Sequence, residues 1–183
     1  MRPNKLYNMR YLLIIFIFFA GCLASAAEYK YILNEKCINN LYDAAEKAIN
    51  NKNIHIIKDS RGIILRFSLD NPLKEVESLS GETVQNLKDV GFFLAKTKNL
   101  VIMEVHAGDI KPDFDIKYKN WEISSVIAGK TEDEVLKTLS SGDYSRVKSV
   151  GFGEFMPIKN TPYNGGNYSN RVDIIVLCNV SGE

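Results

Sequence analysis

The residue types available for chemistry are few. The chain has two histidines, His55 and His106, and three cysteines among 183 residues. No Ser-His-Asp, Cys-His or metal-ligand constellation can be assembled from so small a set. The pair Gly151-x-Gly153 lacks the third glycine of a dinucleotide-binding loop. The sequence therefore predicts a protein that is not an enzyme and has no cofactor and no bound metal.

Three polar residues stand where predicted elements begin and end. His106 ends the apolar run of residues 100–106, Asp109 lies in the loop that follows, and Asn120 stands at an N-cap position before a helical pattern. Each also has an ordinary structural interpretation. A histidine at a strand end often makes a structural hydrogen bond, a loop acid is often only solvated, and Asn120 is first of all a helix cap.

Four short motifs occur in a consistent order along the chain. They are Arg61-Gly62-Ile63-Ile64, His106-Ala107-Gly108-Asp109 with Asn120-Trp121-Glu122-Ile123-Ser124, Gly151-Phe152-Gly153-Glu154-Phe155-Met156-Pro157, and Ser169-Asn170-Arg171-Val172-Asp173-Ile174. Together they resemble the OmpA-like (MotB/Pal-type) peptidoglycan-binding domain of bacterial envelopes. That family has Gly-His-Thr-Asp, Asn-Trp-Glu-Leu-Ser, Gly-x-Gly-Glu-x-x-Pro and Asn-Arg-Arg-Val-Glu-Ile at these places. The resemblance covers residues 53–176.

The resemblance implies a ligand and the groups that hold it. In the family, a carboxylate at the strand end holds the amine of the diamino acid of a peptidoglycan stem peptide, and an arginine on the facing helix holds its carboxylate. Those two positions fall on Gly108 and Ile127 in this chain. Neither residue carries a charge. The resemblance therefore implies the fold, together with an altered binding site.

Four residues remain as candidate ligand contacts under this resemblance: His106, Asp109, Asn120 and Arg171. A slip of one residue in the loop would let Asp109 accept the amine. Arg171 matches the second family arginine, to which we assign a structural role. Two hypotheses follow. In the first, the domain binds a stem peptide whose diamine lacks a second carboxylate, such as ornithine. In the second, the domain no longer binds peptidoglycan and serves as a scaffold for other envelope proteins.

The first 27 residues predict export. Arg2, Lys5 and Arg10 precede an uncharged stretch, residues 11–27, which is too short for a typical spanning helix. Phe19-Ala20-Gly21-Cys22 resembles a lipobox with Cys22 as the lipidated residue, Ala24-Ser25-Ala26 offers ordinary cleavage, and an uncleaved anchor is the third alternative. The stretch holds no acid, which argues against a proton-carrying motor stator. Leu23 after Cys22 favours the outer membrane.

The two remaining cysteines form an even pair. Outside the cytoplasm, Cys37 and Cys178 form either a disulfide between the two ends of the domain or two buried free thiols.

The charge balance limits the partners. The net charge is +1, and without the three basic residues at the start the chain has 20 basic and 22 acidic residues. A nucleic-acid-binding protein usually has a basic excess, so we expect no nucleic-acid partner. The predicted partners are a peptidoglycan stem peptide, other envelope proteins, and a membrane through a lipid on Cys22. The predicted location is the periplasm, on the outer membrane.

Periodicity predicts an α/β sandwich with helices on one side of a mixed four-stranded sheet. Helices are expected at 38–49, at 80–97 and from Asn120, the last one interrupted at Gly129-Lys130 and resuming over 131–139; strands are expected at 54–58, 62–69, 100–106, before Gly151 and at 169–174. Residues 73–81 are expected to be a connection. The domains are then a signal peptide (1–27), an extension with a helix (28–52) and the OmpA-like domain (53–183).

Overall fold

The computed structural model describes residues 35–108, 119–156, 158 and 170–178. Its elements, in chain order, are α1 (Glu35–Ala48), β1 (His55–Asp59), β2 (Gly62–Ser68), α2 (Pro72–Glu77), α3 (Gly81–Leu94), β3 (Val101–Ala107), α4 (Asn120–Leu136), a 3-10 turn (Ser141–Arg146), β4 (Val147–Gly153) and β5 (Asn170–Leu177). No helix within the described ranges has the length and apolar character needed to cross a membrane.

The strands form one mixed sheet in the order β1-β2-β5-β3-β4. Strands β3 and β4 are parallel, and the other neighbours are antiparallel. The prediction of a four-stranded sheet was one strand short, because all five of the expected strands pair within this one sheet. The mixed α/β class itself is confirmed.

The hairpin turn between β1 and β2 explains why a glycine follows Arg61. The backbone N–H of Arg61 donates to Asp59 Oδ1 at 3.0 Å. Gly62 has φ of +155°, and a Cβ there would lie 2.0 Å from the carbonyl oxygen of Val176 on the neighbouring β5. A side chain at this position would therefore collide with the sheet, which accounts for the Arg-Gly pair.

The hydrophobic core lies between the helices and one face of the sheet. Alternate residues of β3 belong to it, namely Val101, Met103, Val105 and Ala107. Helices α1 and α4 contribute Leu41, Ala45, Ile123 and Ile127 to the same cluster. Because side chains alternate along a strand, Ile102, Glu104 and His106 point to the opposite face.

Helix α4 is continuous from Asn120 to Leu136, so the predicted interruption at Gly129-Lys130 was wrong. Gly129 is exposed, and nothing lies within 4 Å of a Cβ built there. The hydroxyl of Thr131 donates to the carbonyl oxygen of Ala128 inside the helix and does not cap a new one. Tertiary packing of the buried stripe therefore outweighs the small helix penalty of one glycine.

Residues 73–81 contain a helix that the sequence analysis took for a connection. Asn71 caps α2 by accepting the backbone N–H of Lys74 at 3.2 Å, and Pro72 occupies its first turn. Proline is well suited to a first helical turn because the N–H it lacks would have no partner inside the helix. The predicted cap of the next helix was right, since Ser80 Oγ accepts the backbone N–H of Thr83.

Candidate functional site

One end of the sheet gathers three of the four motifs that the sequence analysis singled out, whereas the Arg61-Gly62 motif lies at the other end, where Gly62 pairs with Leu177. The carboxyl ends of the parallel strands β3 and β4 lie there, and so does the start of the antiparallel β5. The amino end of α4 reaches the same place, because a Cβ on Gly153 would lie 2.9 Å from the backbone nitrogen of Trp121. This group of chain ends is called the sheet end below.

Two glycines of β4 allow α4 to approach so closely. Gly153 has φ of +55°, and its backbone N–H donates to Ser124 Oγ at 2.8 Å. A Cβ on Gly151 would lie 2.3 Å from the backbone nitrogen of Ser125. The Gly-x-Gly pair therefore fits the helix against the strand and leaves no room for side chains at either position.

His106 is buried on the face of the sheet opposite the helices, with 1% of its surface exposed. Its ring stacks on Phe152 with centroids 5.4 Å apart. Its Nε2 lies 3.8 Å from Glu104 Oε2 and 3.9 Å from Asp173 Oδ2, beyond hydrogen-bond distance. In the described part of the chain neither ring nitrogen has a hydrogen-bond partner. The structural hydrogen bond considered for this histidine is therefore not made.

Arg171 and Asp173 belong to a buried ion-pair network next to His106. Arg66 donates from Nε and Nη2 to the two oxygens of Asp173 at 2.6 and 2.8 Å. Arg171 donates from Nε to Asp173 Oδ2 at 2.9 Å and from Nη2 to the carbonyl oxygen of Met156 at 3.0 Å. The guanidinium of Arg171 thus joins β5 to the turn after β4.

Burial and charge act in opposite directions on this network. Burial by itself raises the pKa of the Asp173 carboxyl, but hydrogen bonds and charge from Arg66 and Arg171 outweigh it, so the pKa lies below its ordinary value. Burial lowers the pKa of the Arg171 guanidinium, against the opposing effect of Asp173. Arg171 is 3% exposed, so the structure gives it a position inside the fold.

Gly108 is the last described residue before Asp109 in the sequence. Its backbone N–H donates to Asn170 Oδ1 at 3.1 Å, which ties the end of β3 to the start of β5. Gly108 itself is exposed. Asp109 and Cys22 lie outside the described residues.

Asn120 is half-buried and is the first residue of α4. The cap is one residue earlier than predicted, at Lys119, whose backbone N–H donates to Glu122 Oε2 at 2.7 Å. The side chain of Asn120 is therefore not required as the N-cap. About two turns further, Ile127 is fully buried in the hydrophobic core, so the position that matches the family arginine faces inward here.

Cys37 and Cys178 are joined by a disulfide, with Cα atoms 5.9 Å apart. The bond connects the first turn of α1 to the residue after β5.

Sequence reasoning did not identify the cluster of Arg66, Glu104 and Asp173 around His106. The signal was present as Glu104 and His106 two positions apart on β3 and Arg171 and Asp173 two positions apart on β5, a spacing that places each pair on one face of the sheet. Within the described residues, Glu104, His106 and Asp173 also form a group able to hold a metal ion.

Known structures resemble this fold, although no protein-family model and no curated protein matches the sequence. The periplasmic domain of Helicobacter pylori MotB is 12% identical with a TM-score of 0.53, over 66% of this chain and 79% of the other. The cell wall anchor of the T6SS from Pseudomonas aeruginosa is 19% identical with a TM-score of 0.54, over 78% and 97%. A putative MotB-like protein from Desulfovibrio vulgaris is 18% identical with a TM-score of 0.54, over 76% and 90%.

Proposed function

We propose that this chain, which has the OmpA-like fold of MotB-type periplasmic domains, is a non-catalytic protein of the bacterial cell envelope that tethers a membrane to peptidoglycan. The support is the fold, together with neighbours described as periplasmic domains and as a cell wall anchor. The export signal predicted from residues 1–27 agrees with this location. A disulfide between Cys37 and Cys178 also suits an oxidising compartment.

The observation that best supports peptidoglycan binding is the hydrogen bond from the backbone N–H of Gly108 to the side chain of Asn170. This hydrogen bond fixes the end of β3 immediately before Asp109, beside the amino end of α4. We propose that the acid that follows this fixed point in the sequence accepts an amine from a stem peptide. A charge-assisted hydrogen bond of this kind contributes about 1.5–3 kcal/mol.

The buried position of Ile127 further restricts the class of ligand that we propose for this site. With a core isoleucine at the family arginine position, no guanidinium from that position reaches the sheet end. The ligand that suits the remaining groups has an amine but no second carboxylate, as in a stem peptide built on ornithine.

A sedimentation assay on purified sacculi tests this proposal. The wild-type chain is expected to sediment with sacculi at low salt, and Asp109→Ala is expected to reduce the bound fraction at least tenfold. Asp133→Ala is the matched control, because Asp133 is exposed on α4, more than two turns from its amino end. Wild-type protein that stays in the supernatant would reject wall binding, and full retention of Asp109→Ala would remove Asp109 from the site.

A second candidate function is a scaffold that binds another envelope protein. The observation in its favour is a group of exposed apolar side chains at the sheet end: Trp121, Phe155 and Met156 are 48, 70 and 52% exposed. Large exposed apolar groups near one another often mark a protein-binding surface. If sacculi do not retain the chain, while Phe155→Ser abolishes a cross-link to an envelope protein in cells, the scaffold function replaces wall binding.

Attachment to the outer membrane through Cys22 is a separate part of the proposal. Its support is the lipobox-like run Phe19-Ala20-Gly21-Cys22. Wild-type protein is expected in the outer-membrane fraction, and Cys22→Ser in the soluble periplasm. Mass spectrometry of the mature amino terminus distinguishes the alternatives, since an unmodified end after Ala26 would show ordinary cleavage.

A further inference from the structure

Three ligating side chains converge on the sheet face opposite the helices. Glu104 and His106 stand two residues apart on β3, and Asp173 lies directly opposite Glu104 on β5. One donor atom from each residue lies within 4.8 Å of the other two. We propose that Glu104, His106 and Asp173 form a binding site for a divalent transition-metal ion of the zinc type.

The two separations from His106 are a few tenths of an ångström longer than those around a shared ion. Nε2 of His106 lies 3.8 Å from Glu104 Oε2 and 3.9 Å from Asp173 Oδ2. Two ligands about 2.0–2.2 Å from a tetrahedral zinc ion are about 3.3–3.6 Å apart. Small side-chain rotations would close the difference. The same separations are too long for hydrogen bonds, so His106 lies close to both carboxylates without a hydrogen bond to either of them.

The state of His106 is the independent observation that points to a ligand. The ring is 1% exposed, and among the described residues neither nitrogen has a hydrogen-bond partner. A buried polar group without a partner costs about 1–3 kcal/mol, so most such groups in folded proteins are satisfied. A metal ion on Nε2 would satisfy one of the two nitrogens.

Charge acts in both directions on a cation between the strands. Glu104 and Asp173 are acids in directly opposite register, an arrangement that is destabilising by itself. Arg66 and Arg171 neutralise Asp173 at short range, whereas Arg61 approaches Glu104 only to 3.4 Å. The arginines that hold Asp173 would orient it as a ligand, as outer hydrogen bonds commonly do for metal-bound carboxylates. Their positive charge also limits how tightly an ion is held.

The donor set identifies the class of ion. One imidazole nitrogen and two carboxylate oxygens suit Zn²⁺ and related first-row ions, whereas Ca²⁺ and Mg²⁺ take oxygen ligands in larger number. Three protein ligands leave a fourth position for water.

The test is titration of the full chain, with any affinity tag removed, with ZnCl₂ and CoCl₂. We expect one equivalent of Zn²⁺ to bind, with an increase in Tm, and Co²⁺ to give visible absorption bands of a four-coordinate site. His106→Gln and Glu104→Gln are each expected to weaken Zn²⁺ binding at least tenfold. His55→Gln is the matched control, because His55 is the other histidine of the chain, and its affinity is expected to stay within twofold of wild type.

Several outcomes would overturn the site. Wild-type protein that binds no Zn²⁺ after prolonged equilibration would do so, and so would undiminished binding by Glu104→Gln, whose side chain is partly exposed and which is therefore expected to fold. Equal losses in the His55→Gln and His106→Gln variants would place the ion elsewhere. Far-ultraviolet circular dichroism of each variant separates lost binding from lost folding.

Discussion

Ile127 and Val126 are neighbours in the chain but lie in opposite environments. Ile127 is fully buried in the core, and Val126 is 41% exposed on the outer side of α4. The periodicity of an α-helix alone produces this difference, because consecutive residues point about 100° apart. Whether the position of the family arginine faces a ligand or the core is therefore decided by how α4 is rotated against the sheet.

Replacing Ile127 with arginine is expected to destabilise the fold without restoring a ligand contact. A guanidinium at a fully buried site without a partner costs about 3–5 kcal/mol. Val126→Arg is the matched control and is expected to change stability by less than about 0.5 kcal/mol, as exposed substitutions usually do. Urea unfolding of both variants measures the difference. Equal stability of the two variants would mean that α4 is rotated differently.

The carboxyl group of Asp143 makes the stability of the folded protein depend on pH in the acidic range. Hydrogen bonds from Ser140 and Lys98, with help from Arg146, lower the pKa of its carboxyl to about 2. A lowered carboxyl pKa stabilises the folded state above the ordinary value of 3.8, and this contribution is lost as the pH falls towards 2.

Asp143→Asn is accordingly expected to lower Tm at pH 7 and to differ less and less from wild type between pH 4 and pH 2. Thermal unfolding across that range measures the effect. Asp133→Asn, at an exposed position of α4, serves as the control. A Tm difference for Asp143→Asn that stays constant down to pH 2 would contradict the expectation.

At the scale of elements, the contact between α4 and β4 determines the shape of the sheet end. It depends on glycines at which the backbone of the helix comes within 3 Å of a built Cβ. The sequence motif indicated that these glycines matter. It did not show that their role is close packing, because the neighbour that comes close is about thirty residues away in the chain.

Gly153→Ala and Gly129→Ala are expected to change stability in opposite directions. Alanine at Gly153 would adopt φ of +55° and approach the backbone of Trp121, which costs about 1–3 kcal/mol. Alanine at Gly129 meets nothing within 4 Å inside a helix and is expected to stabilise the protein by about 0.5–1 kcal/mol. The denaturant midpoint of each variant, compared with that of the wild type, measures these changes. A stabilised Gly153→Ala variant would contradict the close packing of α4 on β4.

For the molecule as a whole, the disulfide is the covalent connection between its first and last described elements. The bond joins residues 141 positions apart, so it constrains most of the unfolded chain. Such a constraint adds to the stability supplied by one hydrophobic core.

Reduction of this bond, or the double substitution Cys37→Ala with Cys178→Ala, is expected to cost about 2–5 kcal/mol. Urea unfolding with and without dithiothreitol measures it. The double variant is the control, since its unfolding should not respond to dithiothreitol. A wild-type protein that is equally stable when reduced would show that the bond contributes little.

Local patterns in the sequence were sufficient for the order of the main elements and the fold. The Asp59–Gly62 turn, the Ser80 cap and the apolar strand before His106 were all predicted, because each depends on residues a few positions apart. The helix after Pro72 was missed and the break at Gly129 was wrong. Both results depend on how much apolar surface a segment buries, which local propensity does not report.

The tertiary structure alone decided which charged residues meet. Arg66 and Asp173 are 107 positions apart, and Glu104 faces Asp173 only because β5 lies between β2 and β3. Strand order and register are set by long-range packing, and a shift of one residue would turn every side chain to the other face. The sequence by itself determined the order of the main elements and the mixed α/β fold, because both depend on short-range patterns. The burial of His106 among the acids was decided by the assembled sheet.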